Sequence, residues 1–149
     1  MSYQDMARSH VKELAREAFG LDEVVVDEDG DLPFPFGTAM VYVSVVGQGR
    51  LVRVWSRAVR GVDVKKSVLR EINEVNEGLV IARVWATGAD VWVEACFPVE
   101  VARALDLHCL VSEVGRTADS IGSMLAMVHG GRVAIPEGTA PSDEHEWED

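Results

Sequence analysis

Apolar residues fall along this chain in two rhythms, and each rhythm predicts a different element. Between positions 3 and 19, Tyr3, Ala7, His10, Val11, Leu14 and Ala18 recur at intervals of three and four. Asp5, Lys12, Glu13, Arg16 and Glu17 fall off that line, which predicts an amphipathic helix stopped by Gly20. The rhythm then shortens to two. Val24–Val26 and Leu32–Phe36 flank Asp27-Glu28-Asp29-Gly30-Asp31, and Asp-Gly between apolar runs signals a hairpin. Pro33 and Pro35 have no amide hydrogen and face the same side, which confines their strand to a sheet edge.

Two further hairpins follow. Met40–Val46 and Leu51–Arg57 enclose Gly47-Gln48-Gly49-Arg50, while Val80–Ala86 and Val91–Phe97 enclose Thr87-Gly88-Ala89-Asp90. The first turn pairs Val46 with Leu51, Ser44 with Arg53, Val43 with Val54 and Tyr42 with Trp55. A tight turn at Gly88-Ala89 pairs Trp85 with Trp92, Val84 with Val93 and Arg83 with Glu94. Side chains alternate across a strand, so both registers collect one apolar floor: Val41, Val43, Val45, Val52, Val54, Val80, Ala82, Val84, Val91, Val93, Ala95 and Phe97. A slip of one residue would scatter it.

Helical spacing returns twice more. Val64, Val68, Ile72, Val75 and Leu79 predict a middle helix between the hairpins, with Lys65, Lys66, Arg70, Glu71 and Glu74 toward solvent. After Pro98 a short helical piece spans Val99 to Leu105. Asp106 then caps a longer helix whose stripe is Leu110, Val111, Val114, Ala118, Ile121, Leu125 and Val128, closed by Gly130-Gly131. Gly115 and Gly122 on or beside this stripe cost roughly 1 kcal/mol each against alanine, so a close approach to another backbone is expected to compensate. The fold class is α+β: an antiparallel sheet of five to six strands in the order α-β-β-β-β-α-β-β-α. One domain fills residues 1–131, and residues 132–149 read as an acidic disordered tail.

Composition narrows the function. The chain has 149 residues, 48% apolar and 26% charged, enough for one buried core. The formal charge is -11, and six acids against Arg132 put five of those charges in the tail. Phosphate neutralisation needs clustered Lys and Arg, so nucleic acid is not an expected partner. No apolar run approaches a membrane span, and the first residues do not form a signal peptide, so a cytoplasmic protein is expected. Cys96 and Cys109 do not make a disulfide framework or zinc site and read as half-buried apolar residues. With Asp27, Asp29 and Asp31 at calcium-loop positions one, three and five, Leu32 replaces the required glycine and Thr38 the closing glutamate. That cluster reads as a solvated turn, and no metal or cofactor is expected. Phosphate loops, nucleophile elbows and His-Glu-x-x-His are absent from the sequence, and neighbouring His108 and Cys109 point about 100° apart on a helix. The chain does not read as an enzyme.

The second face of the sheet needs an explanation. Met40, Tyr42, Ser44, Val46, Leu51, Arg53, Trp55, Arg57, Ile81, Arg83, Trp85, Trp92, Glu94 and Cys96 fall on it. Water-facing sheets carry Thr, Lys, Ser and Glu, whereas here three of the four tryptophans interleave with three arginines. Stacking of Trp on Arg and an Arg83–Glu94 pair could make the face self-contained. Three half-exposed indoles still present roughly 225–375 Å². With Tyr42, Ile81, Leu51 and Met40 the patch reaches the ~300–600 Å² at which a surface acquires a role. A second copy, the middle helix, or a foreign peptide is expected to cover it.

Several phrases fall in a telling order: Asp29-Gly30-Asp31 before Pro33-Phe34, Leu51-Val52-Arg53-Val54-Trp55-Ser56, Ile72-Asn73-Glu74-Val75-Asn76, Ala82-Arg83-Val84-Trp85, and Ala118-Asp119. From Val11 to Gly131 the chain resembles the YbjN family of bacterial sensory transduction regulators, which shares the type III secretion chaperone-like fold. The resemblance implies a five- or six-stranded sheet with the first and last helices on one face, a homodimer, and a non-enzymatic role in binding extended segments of another protein. It adds Val68, Ile72 and Val75 of the middle helix to Tyr42, Arg53, Trp55, Arg83, Trp85 and Trp92 as partner or dimer contacts. The alternative is a small-molecule-sensing regulatory domain in which Arg53 and Arg83 hold an anion beside the tryptophans; a purely structural subunit is a third.

Overall fold

The computed structural model describes residues 1–136. Their order is α1 (Tyr3–Phe19), β1 (Leu32–Phe36), β2 (Ala39–Val46), β3 (Leu51–Val59), α2 (Lys66–Glu77), β4 (Arg83–Thr87), β5 (Asp90–Pro98) and α3 (Ala104–His129). No helix among the described residues is long and apolar enough to cross a membrane.

Local chemistry explains the ends of α1. The Ser2 hydroxyl accepts from the Asp5 amide while the Asp5 carboxylate accepts from the Ser2 amide, a reciprocal cap. Gly20, at φ 61°, closes the helix in the left-handed region. Ala7, Val11 and Ala15 point inward, whereas Tyr3 and His10 lie exposed outside that line. At α3 the expectation shifts. Helix begins at Ala104, and Asp106 lies in its first turn paired with Arg103 rather than capping it. A single 3-10 turn, Val99–Val101, replaces the short helix expected over 99–105.

The five strands lie antiparallel in the order β1-β2-β3-β5-β4. Both central registers match the turn arithmetic: Tyr42 faces Trp55 and Ser44 faces Arg53, while Trp85 faces Trp92 and Arg83 faces Glu94. Two expected strand segments do not form. Val24–Val26 joins no ladder, because the Asp27 carboxylate takes the amides of Asp29 and Asp31 and folds the run into a closed turn. Val24 is buried there, but Val25 and Val26 face solvent. The β4–β5 ladder stops at Arg83–Glu94, which leaves Val80 (93% exposed) and Ile81 off the sheet. The remaining valines of the floor are buried.

The core lies between that floor and the helices. Val111, Val114, Ala118, Ile121 and Leu125 of α3 pack with α1 over Val41, Val43, Val52 and Val54. Gly122 makes the approach possible, since a Cβ there would sit 2.3 Å from the Ala58 carbonyl oxygen. At Gly115 the neighbour is the Phe36 ring rather than a backbone. The Asp119 carboxylate reaches from α3 to the Gly37-Thr38 turn and accepts from both the amide and the hydroxyl of Thr38, at 2.7 Å each. That bond ties the β1–β2 hairpin to the helix layer.

Helix α2 joins the same layer beside β4. Val68 (0% exposed) and Ile72 pack into the core with Val84, Val91 and Val93, and Val75 packs partly against it. The middle helix therefore does not cover the tryptophan face. All three helices stand on the valine side.

Both outer edges are blunted. Pro33 and Pro35 remove amide donors from β1, and Asn76 occupies β4. The Asn76 side chain donates to the Val84 carbonyl at 2.9 Å and accepts from the Val84 amide at 2.8 Å, as a neighbouring strand would.

The expected tail boundary moves. Arg132 pairs by both backbone groups with Arg60, and the Ile135 amide donates to the Thr38 carbonyl at 2.9 Å. Residues 132–136 are thus held to the sheet, and the rest of the expected acidic tail, 137–149, lies outside the described residues.

Candidate functional site

Alternation within each hairpin sends the rings to one side, but the seam between β3 and β5 assembles them. That pairing places Trp55 opposite Glu94 and Arg57 opposite Trp92, with a register shift between Arg57 and Val59. Four rings then run diagonally across four strands. Tyr42 stacks on Trp55 at 4.7 Å between centroids, Trp55 meets Trp92 at 5.8 Å, and Trp92 stacks on Trp85 at 5.8 Å. Such contacts contribute roughly 0.5–1.5 kcal/mol each beyond area burial.

Each arginine sits over an indole: Arg53 over Trp55 at 4.9 Å, Arg57 over Trp92 at 4.8 Å, and Arg83 over Trp85 at 5.7 Å. The Trp55 indole donates to the Ser44 hydroxyl at 2.8 Å. The indole nitrogens of Trp85 and Trp92 have no hydrogen-bond partner among the described residues. All three tryptophans are half-buried and lie outside the helix-side core. Burial pushes the Tyr42 phenol well above its ordinary value, so the ladder carries no charge of its own at neutral pH.

Glu94 is the electrostatic centre of the face. Arg53 donates to one carboxylate oxygen at 2.7 Å, and Arg83 donates to the other through Nε at 2.9 Å and through a second nitrogen. Hairpin arithmetic anticipates Arg83–Glu94; the Arg53 contact needs the β3–β5 seam. Burial raises the Glu94 carboxyl, but the two guanidinium groups outweigh it and hold the carboxyl below its ordinary value of 4.5. A group depressed in the folded state stabilises fully above its unfolded pKa, and that contribution fades as pH falls through the folded pKa. Glu94→Gln is therefore expected to cost about 1–3 kcal/mol at pH 7. Its stability should also fall less steeply than the wild type's below pH 4.5. Urea titrations at pH 7 and in mild acid measure both, and parallel pH curves for the two proteins would contradict the assignment.

Because Arg53 and Arg83 converge on the single carboxylate of Glu94, one of their two positive charges is answered within the face. A depression lined by Tyr3, Gln48, Arg50, Leu51, Pro98 and Glu100 lies at the other end of the β2–β3 hairpin and includes neither arginine. Asp27, Asp29 and Asp31 do gather their carboxylates, yet Asp27 is spent on the turn amides.

The sequence-predicted contact residues separate into two groups. Tyr42, Arg53, Trp55, Arg83, Trp85 and Trp92 share the helix-free face. Val68 and Ile72 are buried in the chain's own core, which leaves their side chains no surface for a second copy, and Val75 beside them packs partly against that core. Leu69 on α2 and Val80 and Ile81 after it are exposed. Cys96 and Cys109 are exposed rather than half-buried. Sequence reasoning missed Ile135, whose only signal was an isolated aliphatic residue before Pro136. It packs with Met40 and Tyr42, against Trp55 and Ala134, in a second small apolar cluster on this face.

Solved structures that share the fold include three complexes. The Yersinia pestis type III secretion chaperone SycH, in complex with a stable fragment of YscM2, is 16% identical with a TM-score of 0.58 over 77% of this chain and 98% of that one. The ExsC–ExsE complex gives 14% and 0.60 over 84% and 97%. The ExoT–SpcS complex from Pseudomonas aeruginosa gives 13% and 0.56 over 76% and 94%. No curated protein matches the sequence. The family model for the T3SS (YopN, CesT) and YbjN peptide-binding chaperone 1 matches residues 5–137. A match over that much of the chain, on a fold shared with secretion chaperones, makes this protein a member of that family of peptide-binding, non-enzymatic chaperones.

Proposed function

We propose that this protein captures an extended segment of another polypeptide on the arginine and tryptophan face, and that it does so as a cytoplasmic homodimer. The observation that carries the reading is the aromatic ladder Tyr42–Trp55–Trp92–Trp85 on the one sheet face without a helix. Large rigid rings and arginines are the side chains that dominate protein-binding energetics. Addition of a strand at the sheet edges is disfavoured, since β1 lacks donors at Pro33 and Pro35 and Asn76 holds Val84. The unpaired indole donors of Trp85 and Trp92 are groups that carbonyl oxygens of a bound chain can satisfy after a modest ring rotation. Leu69 on α2 and Val80 and Ile81 beyond its end are exposed apolar side chains available to a second copy.

An immobilised array of overlapping peptides from the host's secreted and regulatory proteins tests the function. Wild type is expected to retain a subset rich in aliphatic and aromatic residues, and Trp92→Ala to lose that subset. Equal retention by both proteins would move the site off this face. Light scattering of wild type and Leu69→Glu tests the dimer, which a monomeric wild type would remove.

A further inference from the structure

Arg132–Pro136 crosses from the helix layer to the opposite face of the sheet and places Ile135 on it, with Ala134 packed beside. Ile135 is 8% exposed and packs with Met40 and Tyr42 against Trp55, at the end of the aromatic ladder. Its amide donates to the Thr38 carbonyl, so the contact combines a branched aliphatic anchor with a backbone hydrogen bond. These are the two elements by which a sheet surface holds an extended peptide: spaced apolar anchors and main-chain bonds. Among the described residues, the backbone contacts that hold the segment beyond His129 include the Arg60–Arg132 bridge and the Ile135–Thr38 bond.

We propose that Arg132–Pro136 is a resident strap filling an aliphatic-anchor subsite of the peptide face, and that a client segment bearing a branched aliphatic residue displaces it. The inference rests on the peptide-binding reading above and adds a subsite, an anchor chemistry and a competitor. A strap tethered by a few residues acts at an effective concentration on the order of millimolar, so it blocks weak ligands and yields to good ones. Met40, Tyr42 and Trp55 form the walls, and Thr38 supplies the acceptor. Selectivity follows from shape: an aspartate or lysine in place of the isoleucine would be desolvated among apolar rings without a partner.

The probe is a fluorescein-labelled synthetic peptide of this chain's own sequence from Gly130 to Gly138, titrated against the full-length protein. Wild type is expected to bind it at least tenfold more weakly than Ile135→Asp, in which the strap releases the subsite. Ile135→Ala should fall between them, and Tyr42→Ala added to Ile135→Asp should remove the gain. A peptide carrying the same Ile135→Asp change should bind neither protein. Hydrogen exchange on the wild type should show the Ile135 amide losing protection as the peptide is added.

No binding by Ile135→Asp at about millimolar peptide would overturn the strap, since that matches its effective concentration in the chain. Circular dichroism checks that each variant is folded, and Ile135→Ala serves if the aspartate variant is not. If wild type and Ile135→Asp hold the array peptides equally while both still need Trp92, the strap is wrong and the peptide face survives. Array binding indifferent to Trp92 would instead remove the face itself.

Discussion

Gly122→Ala is expected to destabilise the protein by roughly 1–2 kcal/mol net, lowering Tm by about 2–8 °C, although it improves the local helix sequence. The two effects oppose each other, and their sizes decide the sign. Alanine in a helix interior gains roughly 1 kcal/mol over glycine. Its methyl, however, would lie 2.3 Å from the Ala58 oxygen and 3.0 Å from that residue's carbonyl carbon. Both atoms belong to the backbone of the central strand β3, which cannot swing aside as a flexible side chain can. Relief requires lifting α3 off the sheet, and overpacking of this kind costs typically 1–3 kcal/mol and sometimes more. Thermal unfolding checks the outcome. An unchanged or higher Tm would mean that the helix and the strand are farther apart than described.

Trp55→Ala combined with Trp92→Ala is expected to abolish capture of a client peptide while leaving the fold intact. Each ring is half-buried and outside the helix-side core, so truncation opens no cavity among the valines. Binding should suffer far more. The two rings are adjacent in the ladder and carry Arg53 and Arg57 above them, so their removal takes away the centre of the face. Central aromatic residues of an interface typically contribute 2 kcal/mol or more each, which corresponds to roughly 30-fold per ring. A loss on the order of 100-fold or greater in Kd is therefore anticipated for the pair, read by anisotropy with a peptide selected on the array. Retained affinity in a folded double variant would place binding elsewhere, and an unfolded one would show that the ladder is structural.

The family assignment and the geometry answer different questions. Membership rests on a sequence match over residues 5–137 and names a class of activity, whereas the solved relatives, at 13–16% identity, establish the fold. Neither places a ligand on a surface of this chain. The face is singled out by its own physical chemistry: a row of rings that no helix covers, an arginine over each indole, and edges that resist strand addition.

Local rules carried the sequence analysis a long way. Period-two alternation around Gly47–Arg50 and Thr87–Asp90 determined both central registers, because a shift by one residue would have turned valines outward. The same alternation put Tyr42, Trp55, Trp85 and Trp92 on a single face, and three-and-four spacing located all three helices. What remained undetermined involved partners distant in the chain. Turn arithmetic pairs strands within a hairpin and is silent on which hairpins adjoin, so the β3–β5 seam, the Trp55–Trp92 contact and the second arginine on Glu94 were not legible. Apolar spacing marks an inward face but not the body it packs on, so Val68 and Ile72 gave no sign of being sealed within their own chain. Ile135 lay in a stretch whose composition resembles a tail, and only the three-dimensional meeting with Met40 and Tyr42 gives it a place. Periodicity is a property of neighbours along the chain, whereas the site is made by the meeting of segments that the sequence keeps far apart.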